Sequence, residues 1–204
     1  MPDTSLRVGG FVPFTSIDYP GELAAVVFCQ GCPWRCSYCH NQHLLPTKTE
    51  GLPDWQDILE ELRRRRGFLD AVVFSGGEPT TQHALPRAMK EVKAFGFKVG
   101  LHTAGCYPER LRSLLPLLDW VGLDIKGLPE SYPTLTGAEK SGDQAWQSLE
   151  ILLPTHIPLQ VRTTVFPGMT RHHVEKLRKD LSRLGVREHI LQACRQTTAD
   201  RLVH

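Results

Sequence analysis

Residues 23–43 read Leu-Ala-Ala-Val-Val-Phe-Cys-Gln-Gly-Cys-Pro-Trp-Arg-Cys-Ser-Tyr-Cys-His-Asn-Gln-His, an apolar, β-branched run that breaks off into a loop holding four of the chain's six cysteines. The run has the composition of a buried strand. Cys32, Cys36 and Cys39 follow the spacing Cys-x3-Cys-x2-Cys, with Tyr38 just before the last. Three thiolates on so short a loop are expected to converge on one point. An iron–sulfur cube normally takes four cysteine ligands, so three leave one iron free to bind something else. That is the logic of a catalytic metal site, which keeps a position open. Cys29 permits a second reading, because Cys29-x2-Cys32 and Cys36-x2-Cys39 form two pairs that could close a zinc site. Against it, zinc ribbons put a long spacer between their pairs, and only three residues separate these. Strand alternation also turns Cys29 into the core, where a free cysteine behaves as a small hydrophobe.

The chain has 204 residues, with Lys plus Arg 24, Asp plus Glu 22 and a net charge of +2. One domain over 1–204 is expected. The charge balance lacks the basic excess of a nucleic-acid binder, so no nucleic-acid partner is expected. No stretch approaches about 18 uninterrupted apolar residues and the N-terminus has no apolar signal core. The expected location is cytoplasmic, with no membrane partner. Cytosolic thiols stay reduced, so clustered cysteines read as metal-binding before they read as disulfides.

In residues 5–22, Gly9-Gly10, Pro13 and Pro20-Gly21 mark turns around short apolar runs, which predicts a hairpin within 1–22 covering one end of the sheet. Strands are then expected at about 23–29, 71–74, 98–102, 120–125, 159–165 and 190–193. Helices are expected between them at about 54–66, 83–95, 108–117, 142–152 and 171–184. Six such units fall short of the eight units and roughly 250 residues of a closed barrel, so the expected fold is α/β, an open partial (β/α)6 barrel. Arg63–Arg66 reads as a solvated helix end favoured by the dipole. Sites in parallel α/β folds gather at the C-terminal ends of strands. There this chain carries Gly76-Gly77-Glu78, His102-Thr103, Asp124-Ile125-Lys126 and, within the fifth run, Arg162. An arginine in an otherwise apolar strand needs an anion, and a carboxylate ligand suits its fork.

The cysteine loop resembles the cluster-binding loop of the radical S-adenosylmethionine (SAM) enzymes, in which the open iron of a [4Fe-4S] cluster chelates the amino and carboxylate groups of SAM. Gly-Gly-Phe-Val-Pro-Phe-Thr-Ser-Ile-Asp-Tyr-Pro-Gly at 9–21, with Cys39-His40-Asn41, narrows the likeness to the glycyl-radical-enzyme activases, above all those of anaerobic ribonucleoside-triphosphate reductase. The resemblance implies the open (β/α)6 barrel of the radical SAM type, with a [4Fe-4S] cluster and SAM as cofactors. It implies Cys32, Cys36 and Cys39 as cluster ligands, with Cys29, Cys106 and Cys194 not ligating. For SAM it implies Tyr38 backbone at the adenine, Gly76, Gly77 and Glu78 at the amino group, and Asp124, Lys126 and Arg162 around the ribose and carboxylate. Arg195 falls near a SAM-contacting histidine of the pyruvate formate-lyase activating enzyme. No catalytic residue is expected beyond cluster and SAM site, and a branched side chain at Gly77 is expected to enter the cofactor space.

The implied partners are anaerobic ribonucleotide reductase and an external electron donor such as flavodoxin or ferredoxin. One departure stands out. Where the pyruvate formate-lyase activating enzyme has Asp-Thr-Asn-Gly, this chain has His102-Thr103-Ala104-Gly105, which leaves any cation held there without its carboxylate. A strand-end histidine is more often a satisfied hydrogen-bonding residue. Two alternatives stay open: a radical SAM enzyme acting on a small molecule or nucleobase, in the manner of 7-carboxy-7-deazaguanine synthase, or an activase of another glycyl radical enzyme such as pyruvate formate-lyase.

Overall fold

The structure, a computed structural model, describes residues 5–194. Seven strands form one sheet in sequential order. β1 (Val8–Thr15) runs antiparallel to β2 (Ala24–Cys29). From β2 onward β3 (Ala71–Gly76), β4 (Lys98–Thr103), β5 (Trp120–Asp124), β6 (Leu159–Val165) and β7 (His189–Ala193) are all parallel. Among the described residues β7 does not pair back to β1 or β2, so the sheet is an arc rather than a closed barrel. The connections carry α1 (Trp55–Arg64), α2 (Leu85–Ala94), α3 (Pro108–Leu114), α4 (Tyr132–Thr136), α5 (Ser141–Leu152) and α6 (Arg171–Arg183). All six expected parallel strands and five expected helices are there; α4, for which no element was expected, is an addition.

The helices cover the convex face. Outward side chains such as Val27, Val72, Phe74 and Leu101 share one buried cluster with Leu62 and Met89 from the helices. Burying each such side chain is worth about 1.5–3 kcal/mol. Alternation puts Cys29 in this cluster, fully buried. α1 starts on Asp54, whose carboxylate accepts from Gln56 N at 2.6 Å, and ends in arginines paired on the surface with Glu60 and Glu61.

The N-terminal segment differs from expectation. It is one long strand that forms its hairpin with β2, and Gly9 and Gly10 lie inside β1 rather than at a turn. A Cβ on Gly9 would overlap the side chains of Leu44 and Gln30, so this glycine lets the segment after the cysteine loop settle on β1. The β1–β2 connection then enters the concave side of the arc. Tyr19 stacks there on Trp120 with ring centroids 5.2 Å apart, in a second buried cluster with Ala24, Val26, Ala71 and Val73. Two glycines make the space: a Cβ on Gly100 would come 3.1 Å from the Tyr19 ring, and one on Gly122 would crowd Trp120, His102 and Arg162 at 2.8–3.1 Å. The interior is therefore apolar at the strand beginnings and polar at the strand ends.

Candidate functional site

At the C-terminal ends of β3 to β6 the arc meets the cysteine loop around an open cavity of about 220 Å³. The loop is fixed by its own backbone. Gly31 N and Cys32 N donate to Leu44 O and Leu45 O at 2.8 and 3.1 Å, which ties the start of the loop to its return. The Gln30 amide, nearly fully buried, reaches the carbonyls of His43 and Pro46 at 3.0 and 2.7 Å. The short α4 supplies the other anchor, its Leu135 and Thr136 carbonyls accepting from Ser37 N at 3.0 Å and Arg35 N at 2.8 Å. Trp34, buried between the first two loop cysteines, meets Tyr132 of α4 edge-on at 5.8 Å.

Cys32, Cys36 and Cys39 all line the cavity. Among the described residues no three His, Cys, Asp or Glu side chains are grouped to hold a single metal ion. A cube takes each thiolate on a different iron, so it calls for three thiols on one cavity rather than three on one ion. Burial pushes the Cys32 thiol up to about 12, and raises that of Cys36 against the opposing pull of Lys126. Cys29 and Cys106 sit buried in the core, and their thiols are likewise raised by burial. Cys194 is remote from the loop in sequence, yet its sulfur lies 3.7 Å from His40 Nε2, next to Cys39.

The facing wall is charged. Asp124 and Arg162 are direct partners in the β5–β6 register; Arg162 Nε donates to Asp124 Oδ1 at 3.0 Å, and Nη2 stands 2.9 Å from the same oxygen as an ion pair. The anion that Arg162 needs is thus supplied by the chain itself. Burial raises the Asp124 carboxyl, but the Arg162 guanidinium and the Lys126 ammonium outweigh it and hold it below its ordinary value. His102 Nε2 lies 2.9 Å from Asp18 O and Nδ1 lies 3.3 Å from Ser75 Oγ. An imidazole that donates from Nε2 to Asp18 O and accepts at Nδ1 meets these two contacts, and then faces Arg162 Nη1, 3.2 Å from Nε2, without accepting from it. Burial, followed by Arg162 with its Nη1 at 3.2 Å, lowers the His102 pKa to about 4, so the ring stays neutral. It is hydrogen-bonded at both ring nitrogens, as strand-end histidines usually are.

Tyr38 lines the cavity with its ring stacked on Phe166 at 4.9 Å and the Lys126 ammonium 5.6 Å from its centroid. Its hydroxyl is buried without a hydrogen-bond partner. Such a group costs about 1–3 kcal/mol, and it is closed off from the cavity that the ring helps to line.

Gly76 and Gly77 reach the cavity; Glu78, expected at the SAM amino group, does not. It is fully buried behind the wall and its carboxylate is taken up by Thr80, Thr103 and Ala104. The reason given for Gly77 also changes. A Cβ there would overlap Gly31 O, the backbone of the cysteine loop, rather than enter the cofactor space. Arg195 lies outside the described residues. Sequence reasoning passed over Trp34, Tyr132 and Gln30, which hold the loop in place. Trp34 alone carried a signal, as an aromatic residue between two candidate ligands.

A family model for the radical SAM superfamily matches residues 26–181. The chain belongs to the radical SAM superfamily. Among curated proteins it is 31% identical over 182 residues to a Methanocaldococcus jannaschii protein whose name places it with the glycyl-radical enzyme activating enzymes, covering 84% of this chain and 74% of that one. It is also 31% identical to the pyruvate formate-lyase-activating enzyme of Clostridium pasteurianum, over 79% of this chain and 70% of the relative. Solved structures share the fold: QueE from Escherichia coli has a TM-score of 0.64 at 20% identity, covering 97% of this radical SAM chain and 87% of its own. Native anSMEcpe with bound AdoMet reaches 0.66 at 18% identity, over 82% and 50%. The cofactors of radical SAM enzymes are a [4Fe-4S] cluster and SAM. The cavity fits them: it is lined by three thiols and also by a carboxylate, an ammonium and a guanidinium that can receive a zwitterion. Among the described residues no helix is long and apolar enough to cross a membrane.

Proposed function

We propose that this chain is a glycyl-radical-enzyme activase, that its partner is anaerobic ribonucleoside-triphosphate reductase, and that it works in the cytoplasm. Cys32, Cys36 and Cys39 hold the cluster, and SAM lies between them and the charged wall of Asp124, Lys126 and Arg162. A reduced cluster held there would supply the electron that splits SAM into methionine and a 5′-deoxyadenosyl radical able to take a hydrogen atom from glycine. The protein's own part is positional. The backbone at Gly76 and Gly77 would meet the amino end of SAM, Arg162, held by Asp124, would offer its guanidinium to the SAM carboxylate, and Lys126 would neutralise charge beside Cys36.

The observation that carries this reading is the cavity itself, lined by three thiols and by a carboxylate–guanidinium pair at the strand ends of an open arc. The choice of an activase draws on the relatives named as such. An open arc suits a flexible peptide loop of a large partner. The relatives named for pyruvate formate-lyase support a second reading, in which that kind of enzyme is the partner. An outside one-electron donor of the flavodoxin or ferredoxin kind completes the system.

The anaerobically reduced protein, given SAM, is expected to release 5′-deoxyadenosine, with the yield rising several-fold when the reductase is present. No 5′-deoxyadenosine even with a partner would sink the SAM reading. Steady turnover of a small substrate without any partner protein would sink the activase reading alone.

A further inference from the structure

Glu78 closes the segment Gly76-Gly77-Glu78, yet its side chain turns away from the cavity that the two glycines border. The residue is fully buried. Oε1 accepts from Thr80 N at 3.1 Å, Thr80 Oγ1 at 2.6 Å and Thr103 Oγ1 at 2.7 Å, and Oε2 accepts from Ala104 N at 2.9 Å. A carboxylate offers about four acceptor sites; three of these donors crowd Oε1, and with the buried Cys106 thiol as a further side-chain hydrogen-bond partner the carboxylate has little capacity left for a ligand. A buried carboxylate satisfied in this way is costly to pull out of its place. The network continues on both sides. Thr103 Oγ1 accepts from Gly105 N at 3.0 Å, and Arg110 from α3 donates to the carbonyls of Thr80 and Thr81 at 2.9 and 2.7 Å.

The groups joined by Glu78 belong to two different strand ends. Gly76 and Gly77 finish β3, while Thr103 and Ala104 finish β4 and follow it; all four border the cavity, and Glu78 and Thr80 do not. The β3–β4 pairing itself stops at Phe74↔Leu101. Beyond that pair, the buried carboxylate bridges the two chain segments where the ladder has ended.

We propose that Glu78 is a positioning residue: it sets the spacing between the Gly76–Gly77 and Thr103–Ala104 backbones that receive SAM and makes no contact with the SAM ammonium. This rests on the reading that SAM occupies the cavity. Thr80 is the place to test it, because Thr80 touches Glu78 but lies outside the cavity. SAM affinity of the reconstituted, reduced protein can be measured by titrating SAM against the cluster's paramagnetic signal, with iron content and melting temperature recorded for each variant.

Thr80→Val removes one short bond to Oε1 and is expected to weaken SAM binding about fivefold at unchanged iron content. Thr80→Ser restores wild-type affinity, and Glu78→Gln combined with Thr80→Val is no weaker than Glu78→Gln alone, because both act through one network. If Thr80→Val does not fold, Thr80→Ala removes the same hydroxyl and carries the same expectation. A hydroxyl-less variant that binds SAM like the wild type while Glu78→Gln loses binding would make Glu78 a direct ligand and overturn the proposal. A wild-type protein that does not bind SAM would overturn the underlying reading itself.

Discussion

Replacing any one of Cys32, Cys36 and Cys39 with alanine is expected to leave the protein without its cluster, whereas Cys29→Ala keeps it. The three cysteines border one cavity and Cys29 does not; it is packed on the convex side of β2 with no exposure. A cube that is already one protein ligand short cannot lose another and stay bound. Anaerobic reconstitution should give about four irons per wild-type chain and close to none for the three variants. Cys29→Ala only empties a small volume in the core, at a cost of about 1 kcal/mol. A Cys29 variant that loses its iron, or tetrahedral zinc in the native protein, would overturn the ligand assignment.

Gly77→Val is expected to be the most damaging change outside the cysteines. The new Cβ would overlap Gly31 O and stand 2.8 Å from Gly31 C and 3.0 Å from Leu44 O. These are backbone atoms, joined to each other through the Gly31 N to Leu44 O bond that pins the cysteine loop. They cannot swing aside as a side chain would. Either the end of β3 or the loop must move, at a cost of about 1–3 kcal/mol or more, which for a chain of this size lowers the melting temperature by roughly 2–4 °C per kcal/mol. Because Gly31 immediately precedes Cys32, the expected signature is reduced iron incorporation. A Gly77→Val protein that reconstitutes fully but no longer binds SAM would instead mean that the side chain intrudes on the cofactor.

The parallel strands were legible because each is a short apolar run ending in glycine or a polar residue, as with Ala71–Gly76. The helices were legible from their apolar spacing and from caps such as Asp54. α4 was not legible, since Ser131-Tyr-Pro-Thr-Leu-Thr-Gly137 reads locally as a turn. Its five residues are held by tertiary contacts instead, through Tyr132 against Trp34 and the carbonyls that anchor the cysteine loop. Gly9 and Gly10 misled for a related reason. A glycine required by close approach and one required by a turn look the same in sequence.

At the site, residue type and strand position brought Cys32, Cys36, Cys39, Asp124, Lys126 and Arg162 to one cavity. What could not be read was direction. Glu78 lies two residues past Gly76, and only the register of β3 against β4 decides that it faces Thr103 rather than the ligand. In the same way the Asp124–Arg162 pair depends on their being opposite one another across two strands far apart in sequence.

The central claim is that the radical made here ends on a glycine of a protein partner, and electron paramagnetic resonance of the reduced protein with SAM and anaerobic ribonucleotide reductase tests it most directly. The account predicts a doublet from a backbone glycyl radical that vanishes when that glycine of the reductase is changed to alanine. A reaction that consumes SAM in the presence of the reductase and yields no such doublet would contradict it.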